Sequence, residues 1–189
     1  MVKEIVGVLA LQGGFSRHIA AIRQCGAEAI EVRQVEDLQR CSRLILPGGE
    51  STVMAKLMAE SSLDDAIREF SKTHPVFGTC AGAILMAKEA HPAPFSPLGL
   101  VDIHVERNFY GRQIASFFHE VTADIPSSAN KISGYFIRAP RITFCGPETT
   151  ILGHMEGDPV LVQQGRLLVA TFHPELTDSI ALHQFFLTL

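Results

Sequence analysis

The sequence lacks the patterns that mark nucleic-acid-binding and membrane proteins. Its 16 Lys and Arg residues are outnumbered by 20 Asp and Glu residues and form no basic run or stripe, which argues against a nucleic-acid partner. The apolar run IVGVLAL (5–11) is far shorter than the roughly 20 residues of a membrane span. It follows Lys3 and Glu4 without a small-x-small cleavage site, so we do not predict a signal sequence.

Cysteine is scarce and scattered. Cys25, Cys41, Cys80 and Cys145 include no C-x-x-C pair, and no histidine cluster has zinc-ligand spacing. Neither a disulfide framework nor a structural metal site is therefore predicted. We expect reduced thiols and a cytoplasmic location. The length of 189 residues suits one domain over 1–189.

Short apolar runs bounded by Gly or Pro alternate with amphipathic stretches. The apolar runs are IVGVLAL (5–11), RLILP (43–47), PVFG (75–78) and RLLVATF (166–172). Continuous apolar character is typical of parallel strands covered on both faces. Residues 15–24 and 63–70 carry apolar stripes at helical spacing. The pattern predicts an α/β fold, with a three-layer, doubly wound, mostly parallel sheet flanked by helices.

The middle of the chain has a different pattern. HPAPFSPLG (91–99) contains three prolines and is predicted to be a loop. LVDIHVERN, RQIASFFHEV and GYFIRAPRI follow as strand-like stretches with no helices between them. We therefore predict an antiparallel strand extension in the middle, followed by a return to the parallel sheet and a last helix over 178–188.

Cys80 lies where a strand is predicted to turn into a helix. The pattern Gly78-Thr79-Cys80-Ala81-Gly82 is similar to the nucleophile elbow G-x-S-x-G, with sulfur in place of the hydroxyl. A helix N-terminus beside the thiol favours the nucleophilic thiolate. Taken alone, Cys80 could also be a small buried residue, as most free cysteines are.

A cysteine nucleophile needs a base, and TFHPE (171–175) provides a candidate. His173 follows an apolar run, so it is predicted at the same sheet edge as Cys80. In extended backbone, His173 and Glu175 project to one side, and Glu175 can orient the imidazole. Each alone also suits an ordinary strand-end histidine or a solvated carboxylate. The remaining histidines lack such an arrangement: His18, His74, His91, His104, His119, His154 and His183.

LILPGGEST (44–52) is a candidate source of oxyanion donors. Gly48 and Gly49 follow a predicted strand and can present backbone N–H groups without an obstructing side chain. We pair the Gly49 N–H with that of Ala81, the residue after the proposed nucleophile. A plain strand-to-helix turn with a cap would have the same sequence. Arg107 and Arg138 could grip a carboxylate, although spacing alone assigns them no role.

Taken together, the motifs resemble one known family. GVLALQGGFSRHI, LILPGGEST, FGTCAGAILMAKE, VERNFYGRQ, FIRAP and FHPELT resemble the glutaminase subunits of pyridoxal 5′-phosphate synthase, which are class I (triad) glutamine amidotransferases with a flavodoxin-like fold. The resemblance extends from about residue 5 to the last predicted helix. It implies hydrolysis of L-glutamine to glutamate and ammonia through a γ-glutamyl thioester, without a metal or cofactor.

The resemblance also implies a role for each matching residue. Cys80 is the nucleophile, His173 the general base and acid, and Glu175 the orienting carboxylate. The residues that match the family's glutamine contacts are Gly49, Glu50, Ser51, Arg107, Ile137 and Arg138. The implied partner is a barrel-shaped synthase subunit that receives the ammonia. Tyr135, Phe109 and Tyr110 depart mildly from the family's pattern, which often has smaller groups at these positions.

Two alternatives accompany this interpretation. One is a stand-alone cysteine hydrolase of the same fold, acting on γ-glutamyl or peptide substrates. The other is a catalytically silent docking or regulatory module. The trio Cys80, His173 and Glu175 disfavours the silent module, while ERN (106–108) and FIRAP (136–140) disfavour the general hydrolase.

Overall fold

The predicted apolar strands lie in the centre of the molecule. The structure, a computed structural model, describes residues 4–107, 116–126 and 131–189. The strands are β1 (Ile5–Leu9), β2 (Glu28–Val32), β3 (Arg43–Leu46), β4 (Val76–Thr79), β5 (Ala87–His91), β6 (Val101–Glu106), β7 (Ser116–Ala123), β8 (Lys131–Ile137), β9 (Arg141–Cys145), β10 (Thr150–Met155), β11 (Asp158–Gln164) and β12 (Leu167–Ala170). The helices are α1 (Phe15–Gln24), α2 (Val35–Leu38), α3 (Ser51–Glu60), α4 (Leu63–Ser71), α5 (Ala81–Met86) and α6 (Ala181–Phe186), and a 3-10 turn spans Pro174–Leu176.

Parallel strands form one half of the main sheet. Within the described residues this sheet has nine strands, in the order β2-β1-β3-β4-β12-β11-β10-β7-β8, and the pairs from β2 to β12 are parallel. Leu44 and Leu46 of β3 pack with side chains of α3, α4 and α5, whereas Ile45 packs with those of α1 and α6. Because apolar side chains project from both faces of the sheet, helices cover both faces. The predicted three-layer α/β fold is confirmed.

The predicted antiparallel extension is divided between two sheets. β11, β10, β7 and β8 continue the main sheet beyond β12 with antiparallel pairing. β5, β6 and β9 form a separate three-stranded sheet, in which β6 is antiparallel to β9 and parallel to β5. GYFIRAPRI therefore contributes to two strands, because β8 ends at Ile137 and β9 begins at Arg141 in the other sheet. Arg138 has a positive φ of 44°, and Pro140 has no N–H to donate, so the ladder is interrupted between them.

The helices are short, and the last one differs from the predicted range of 178–188. α6 begins at Ala181. Thr177 donates its hydroxyl to the Pro174 carbonyl and accepts from the Ser179 N–H, which holds this segment in a turn before the helix starts. Along the described part of the chain, no helix combines the length and apolar character needed to cross a membrane.

The register of the parallel strands determines where the candidate site lies. Leu46 of β3 pairs with Gly78 of β4, and Thr79 pairs with Ala170 of β12. These three adjacent strands therefore end side by side, at the edge where ligands bind in open α/β sheets. The segments that follow them carry Gly48, Cys80 and His173.

Candidate active site

Cys80 occupies a sharp turn between β4 and α5, as predicted. Its φ and ψ are 48° and −102°, a strained conformation for a residue with a side chain. The Cys80 N–H donates to the Ala170 carbonyl at 2.9 Å, and the Cys80 carbonyl accepts from the Ile84 N–H at 3.2 Å. A Cβ at Gly82 would overlap with the Leu46 carbonyl, so the glycine lets α5 lie directly against β3.

His173 and Glu175 form the closest side-chain contact of the site. His173 Nδ1 lies 2.7 Å from Glu175 Oε1, and Glu175 is 5% exposed. The prediction of an extended backbone here is wrong, because Pro174 and Glu175 lie in the 3-10 turn. The turn still brings the carboxylate back onto the imidazole, so the predicted partnership is present with a different backbone geometry.

The backbone of His173 is held on both sides. The His173 N–H donates to the Tyr135 carbonyl at 2.8 Å, and the Tyr135 N–H donates to the His173 carbonyl at 3.2 Å. This antiparallel bridge joins the segment after β12 to β8. The Tyr135 side chain is exposed and lies edge-on to Phe118, with ring centroids 5.5 Å apart. This departure from the family pattern therefore affects the outer surface of β8, whereas Phe109 and Tyr110 lie outside the described residues.

The surroundings of His173 favour its protonated form. Burial acts against the imidazolium, but hydrogen bonds to the Cys80 and Glu175 side chains and the negative charges of both groups outweigh it, raising the pKa of His173 to about 10. For Glu175, burial acts against ionisation, but the neighbouring His18 and His173 together lower the pKa of the carboxyl.

The structure places two further histidines behind Glu175 that the sequence analysis set aside. His18 Nε2 lies 3.4 Å from Glu175 Oε2 and 3.1 Å from Thr79 Oγ1. His18 Nδ1 lies 3.0 Å from His183 Nε2. His18, His183 and Thr79 are fully buried. One feature of the sequence could have indicated them: each histidine shares the apolar face of its helix, His18 with Ile22 on α1 and His183 with Phe186 on α6.

Acid is expected to destabilise the fold through His183. Burial, reinforced by His18 and opposed by Glu175, lowers the pKa of His183 from 6.5 to about 3. Below pH 6.5 the unfolded chain binds a proton at this position that the folded chain does not, so this stabilisation is complete above pH 6.5 and is lost as pH falls. We expect the free energy of unfolding to fall by about 2 kcal/mol between pH 7 and pH 5 because of His183.

Urea denaturation at pH 7 and pH 5 measures this effect. His183→Gln should lack that part of the acid sensitivity, whereas His154→Gln, at an exposed position, should retain it. An unchanged difference between the two pH values in His183→Gln would contradict the prediction.

A small cavity of about 50 Å³ opens beside Cys80. Its lining residues are Gly49, Glu50, Ser51, Cys80, Ala81, Ile84, Arg107, Ile137 and Arg138. The structure therefore brings every sequence-predicted glutamine contact to the nucleophile candidate, from β3, β4, β6 and β8. Ile84, on the second turn of α5, is the lining residue that the sequence analysis missed, and only its position four residues after Cys80 would indicate it.

Several cavity residues are fixed by contacts with their neighbours. Arg107 donates to the Pro92 carbonyl at 2.9 Å and to Thr52 Oγ1 at 3.2 Å, and its guanidinium lies over the Phe95 ring. The Ile137 carbonyl lies 3.8 Å from Cys80 Sγ. Arg107 is therefore held at the rim of the cavity by the proline-rich loop and α3.

Gly48 and Gly49 are confined for different reasons. A Cβ at Gly48 would overlap with the His173 ring, and one at Gly49 would overlap with the side-chain oxygen of Gln12. The Gly48 carbonyl accepts from the Gly14 N–H at 2.9 Å. The glycine pair thus allows the loop after β3 to lie against the imidazole.

Gly48→Ala is expected to displace the His173 ring and to lower the glutamine hydrolysis predicted from the sequence roughly 100-fold, because small misplacements of a general base have effects of this size. Steady-state kinetics measures the loss. Gly14→Ala is the matched control, since its Cβ would meet Glu175 Oε1 at an ordinary distance of 3.5 Å. Equal activity of the two variants would show that the close approach at Gly48 is unimportant.

These contacts define a class of protein. A thiol at a strand-to-helix turn, with a nearby imidazole that a buried carboxylate orients, is the arrangement of enzymes that transfer acyl groups through a cysteine. The chain belongs to the SNO glutamine amidotransferase family, whose sequence model matches residues 8–189.

Known proteins agree with this placement over nearly the whole chain. A pyridoxal 5′-phosphate synthase subunit PdxT from Solibacter usitatus is 50% identical over 188 residues, covering 97% of both chains. One from Thermotoga neapolitana is 45% identical, covering 97% of this chain and 98% of that protein. A crystal structure described as a glutamine amidotransferase superposes with a TM-score of 0.91 at 44% identity, covering 97% of both chains.

A more distant structure shares the fold alone. The crystal structure of a Thermoplasma acidophilum protein, described as belonging to a GMP synthase, superposes with a TM-score of 0.67 at 14% identity, covering 97% of this chain and 92% of that one. The same architecture is therefore compatible with a very different sequence.

Proposed function

We propose that this chain is a glutaminase: it hydrolyses L-glutamine to L-glutamate and ammonia and delivers the ammonia to a pyridoxal 5′-phosphate synthase subunit. The observation that carries the proposal is the 2.7 Å contact of His173 with the buried Glu175, next to Cys80 and its cavity, in a chain of the glutamine amidotransferase family. The relatives' name, a synthase subunit, supports the partner. One glutaminase domain over 1–189 belongs to the same proposal. So does a cytoplasmic location, which is supported by four free cysteines.

Each triad residue has a defined task in the first half of the reaction. The Cys80 thiolate attacks the side-chain amide carbon of glutamine, and the carbonyl oxygen acquires negative charge. His173 donates its proton to the amide nitrogen, which leaves as ammonia when the tetrahedral intermediate collapses to a thioester. Glu175 holds Nδ1–H of His173, so that Nε2 faces the reacting groups.

The second half uses the same residues in reverse. Neutral His173 takes a proton from water, and the resulting hydroxide attacks the thioester carbon. The carbon–sulfur bond breaks, glutamate leaves, and the Cys80 thiolate and the His173 imidazolium are restored. The backbone N–H groups of Gly49 and Ala81 are the proposed oxyanion donors in both halves, each contributing about 3 kcal/mol.

The proposed glutamine contacts divide by chemistry. Arg107 and Arg138 supply positive charge for the α-carboxylate, and Glu50 supplies negative charge for the α-amino group. Ser51, Ile137 and the Gly49 backbone complete the proposed contacts with the substrate.

The proposal is tested by glutamate release from glutamine, measured with and without the synthase subunit. We expect low turnover by the chain alone and a clear increase with the synthase, because coupling avoids glutamine loss when no acceptor is ready. No glutamate release in either condition would overturn the proposal. Full turnover without the synthase, together with no binding to it in a pull-down, would favour the stand-alone hydrolase.

A further inference from the structure

Behind the triad, a buried row of polar side chains continues from Glu175 into the core between α1 and α6. Glu175 uses Oε1 to contact His173. Its second oxygen, Oε2, is buried and has no hydrogen-bond partner among the described residues that meets strict geometry, while His18 Nε2 lies 3.4 Å away. His183 follows on the far side of His18. A carboxylate oxygen in this setting requires a donor nearby.

Both histidines are neutral, because burial lowers the pKa of each. Each ring then carries one proton, and one proton lies between His18 Nδ1 and His183 Nε2. Two arrangements are possible. Either His183 Nε2–H donates to His18 Nδ1, and His18 carries its own proton on Nε2, or His18 Nδ1–H donates to His183 and His18 Nε2 is bare.

Electrostatics decides between the two arrangements. A bare His18 Nε2 could accept from the Thr79 hydroxyl at 3.1 Å, but its lone pair would also face the Glu175 carboxylate at 3.4 Å and repel it, whereas an N–H at the same position attracts the carboxylate. The second arrangement would also place the proton of His183 on Nδ1, which is buried and unpartnered among the described residues. Buried N–H groups without acceptors are rare. Both the charge of Glu175 and the environment of His183 Nδ1 therefore favour the first arrangement.

We propose that His18 is a positioning residue of the Cys80–His173–Glu175 triad, and that His183 fixes the tautomer that directs its Nε2–H toward Glu175 and Thr79. The proposal rests on the proposed function for its kinetic consequence, but the proton arrangement can be measured without it. With one oxygen facing an N–H of His18, the carboxylate keeps its other oxygen toward His173 Nδ1.

The first experiment examines the unmodified chain. Nitrogen-15 NMR of labelled histidine side chains distinguishes the two neutral tautomers and the charged form. We expect His18 and His183 to carry their protons on Nε2 and to be neutral at pH 7 and above. A His18 proton on Nδ1, or a charged His18 at neutral pH, would overturn the proposal.

The second experiment compares His18→Leu with His18→Gln. Leucine removes the donor, whereas the glutamine Nε2 can occupy the position of the ring Nε2 and donate to Glu175. Because a hydrogen bond to a charged group is lost, we expect His18→Leu to lower kcat for glutamine roughly 10- to 100-fold with little change in KM. The proton resonance of His173 Nδ1–H should shift upfield. His18→Gln should recover most of both properties.

A purely structural role gives a different pattern. It would lower the thermal stability of both variants and leave the His173 resonance and kcat per folded molecule unchanged, which would overturn the proposal. If His18→Leu does not fold, the nitrogen-15 NMR measurement of the histidine tautomers in the unmodified chain tests the proposal. Absence of glutamine turnover in the unmodified chain would instead count against the proposed function, and the NMR result would still stand.

Discussion

Replacing Cys80 with alanine is expected to reduce glutamine turnover by roughly four orders of magnitude or more, in the presence of the synthase subunit. The thiol is the nucleophile that the proposed thioester requires, and Cys80 is the one thiol among the described residues that line the cavity. Residual rate would come from the oxyanion donors and substrate positioning alone. Glutamate release under saturating glutamine measures the effect, and KM should change little.

Cys145→Ala is the matched control for this variant. Cys145 is a free thiol in β9 and burial raises its pKa, so its removal should leave turnover unchanged. Alanine also retains the Cβ that Cys80 holds at positive φ, and the fold should therefore persist, as circular dichroism can verify. Turnover by a folded Cys80→Ala variant within tenfold of the unmodified chain would exclude a covalent mechanism through this residue.

Replacing Glu175 with glutamine is expected to have the second largest effect, a fall in kcat of roughly 10⁴-fold. The amide has one donor end and one acceptor end. If His18 presents its Nε2–H as proposed, the amide oxygen faces His18 and the NH₂ group faces His173 Nδ1. The imidazole must then carry its proton on Nε2, where it cannot accept a proton from Cys80 or water.

Nitrogen-15 NMR of His173 should show the tautomer change in Glu175→Gln directly. Glu60→Gln, on an exposed position of α3, is the matched control and should retain full activity. In a His18→Leu background the amide is free to turn, so the added effect of Glu175→Gln on kcat should be smaller than in the unmodified chain. Full additivity of the two substitutions would contradict the coupling between His18 and Glu175.

Most strands of the parallel half of the fold could be predicted, because each is a short apolar run that is visible in the local sequence without knowledge of the strand it pairs with. β1, β3 and β12 fall within predicted runs, and β4 extends one residue beyond its run, to Thr79. β2 and β11 could not be assigned, since EAIEV and DPVLVQQ mix polar and apolar residues without clear strand signals. The division of the antiparallel strands between two sheets depends on pairing between distant segments, which local pattern does not encode.

The candidate site was predictable to the extent that its residues directly follow strands. Gly49, Cys80 and His173 come after β3, β4 and β12, so one rule about parallel sheets brings them together. The contact between His18 and His183 could not be predicted, because it requires α1 and α6 to pack on the same face of the sheet. The contact of Glu175 with His173 was predicted from an extended backbone, although a 3-10 turn produces it.

The bridge between Tyr135 and His173 has a consequence for redesign. Two backbone hydrogen bonds join His173, the proposed base, to β8, which ends at Ile137 directly before Arg138. The position of the imidazole and the position of these two proposed substrate contacts therefore depend on the same strand. A transplanted β8 from another amidase would have to reproduce both bonds, or the exchange would misplace the imidazole while altering the pocket. If Ile137 and Arg138 contact the substrate as proposed, a change of substrate is best sought by varying these two side chains on an unchanged β8 main chain.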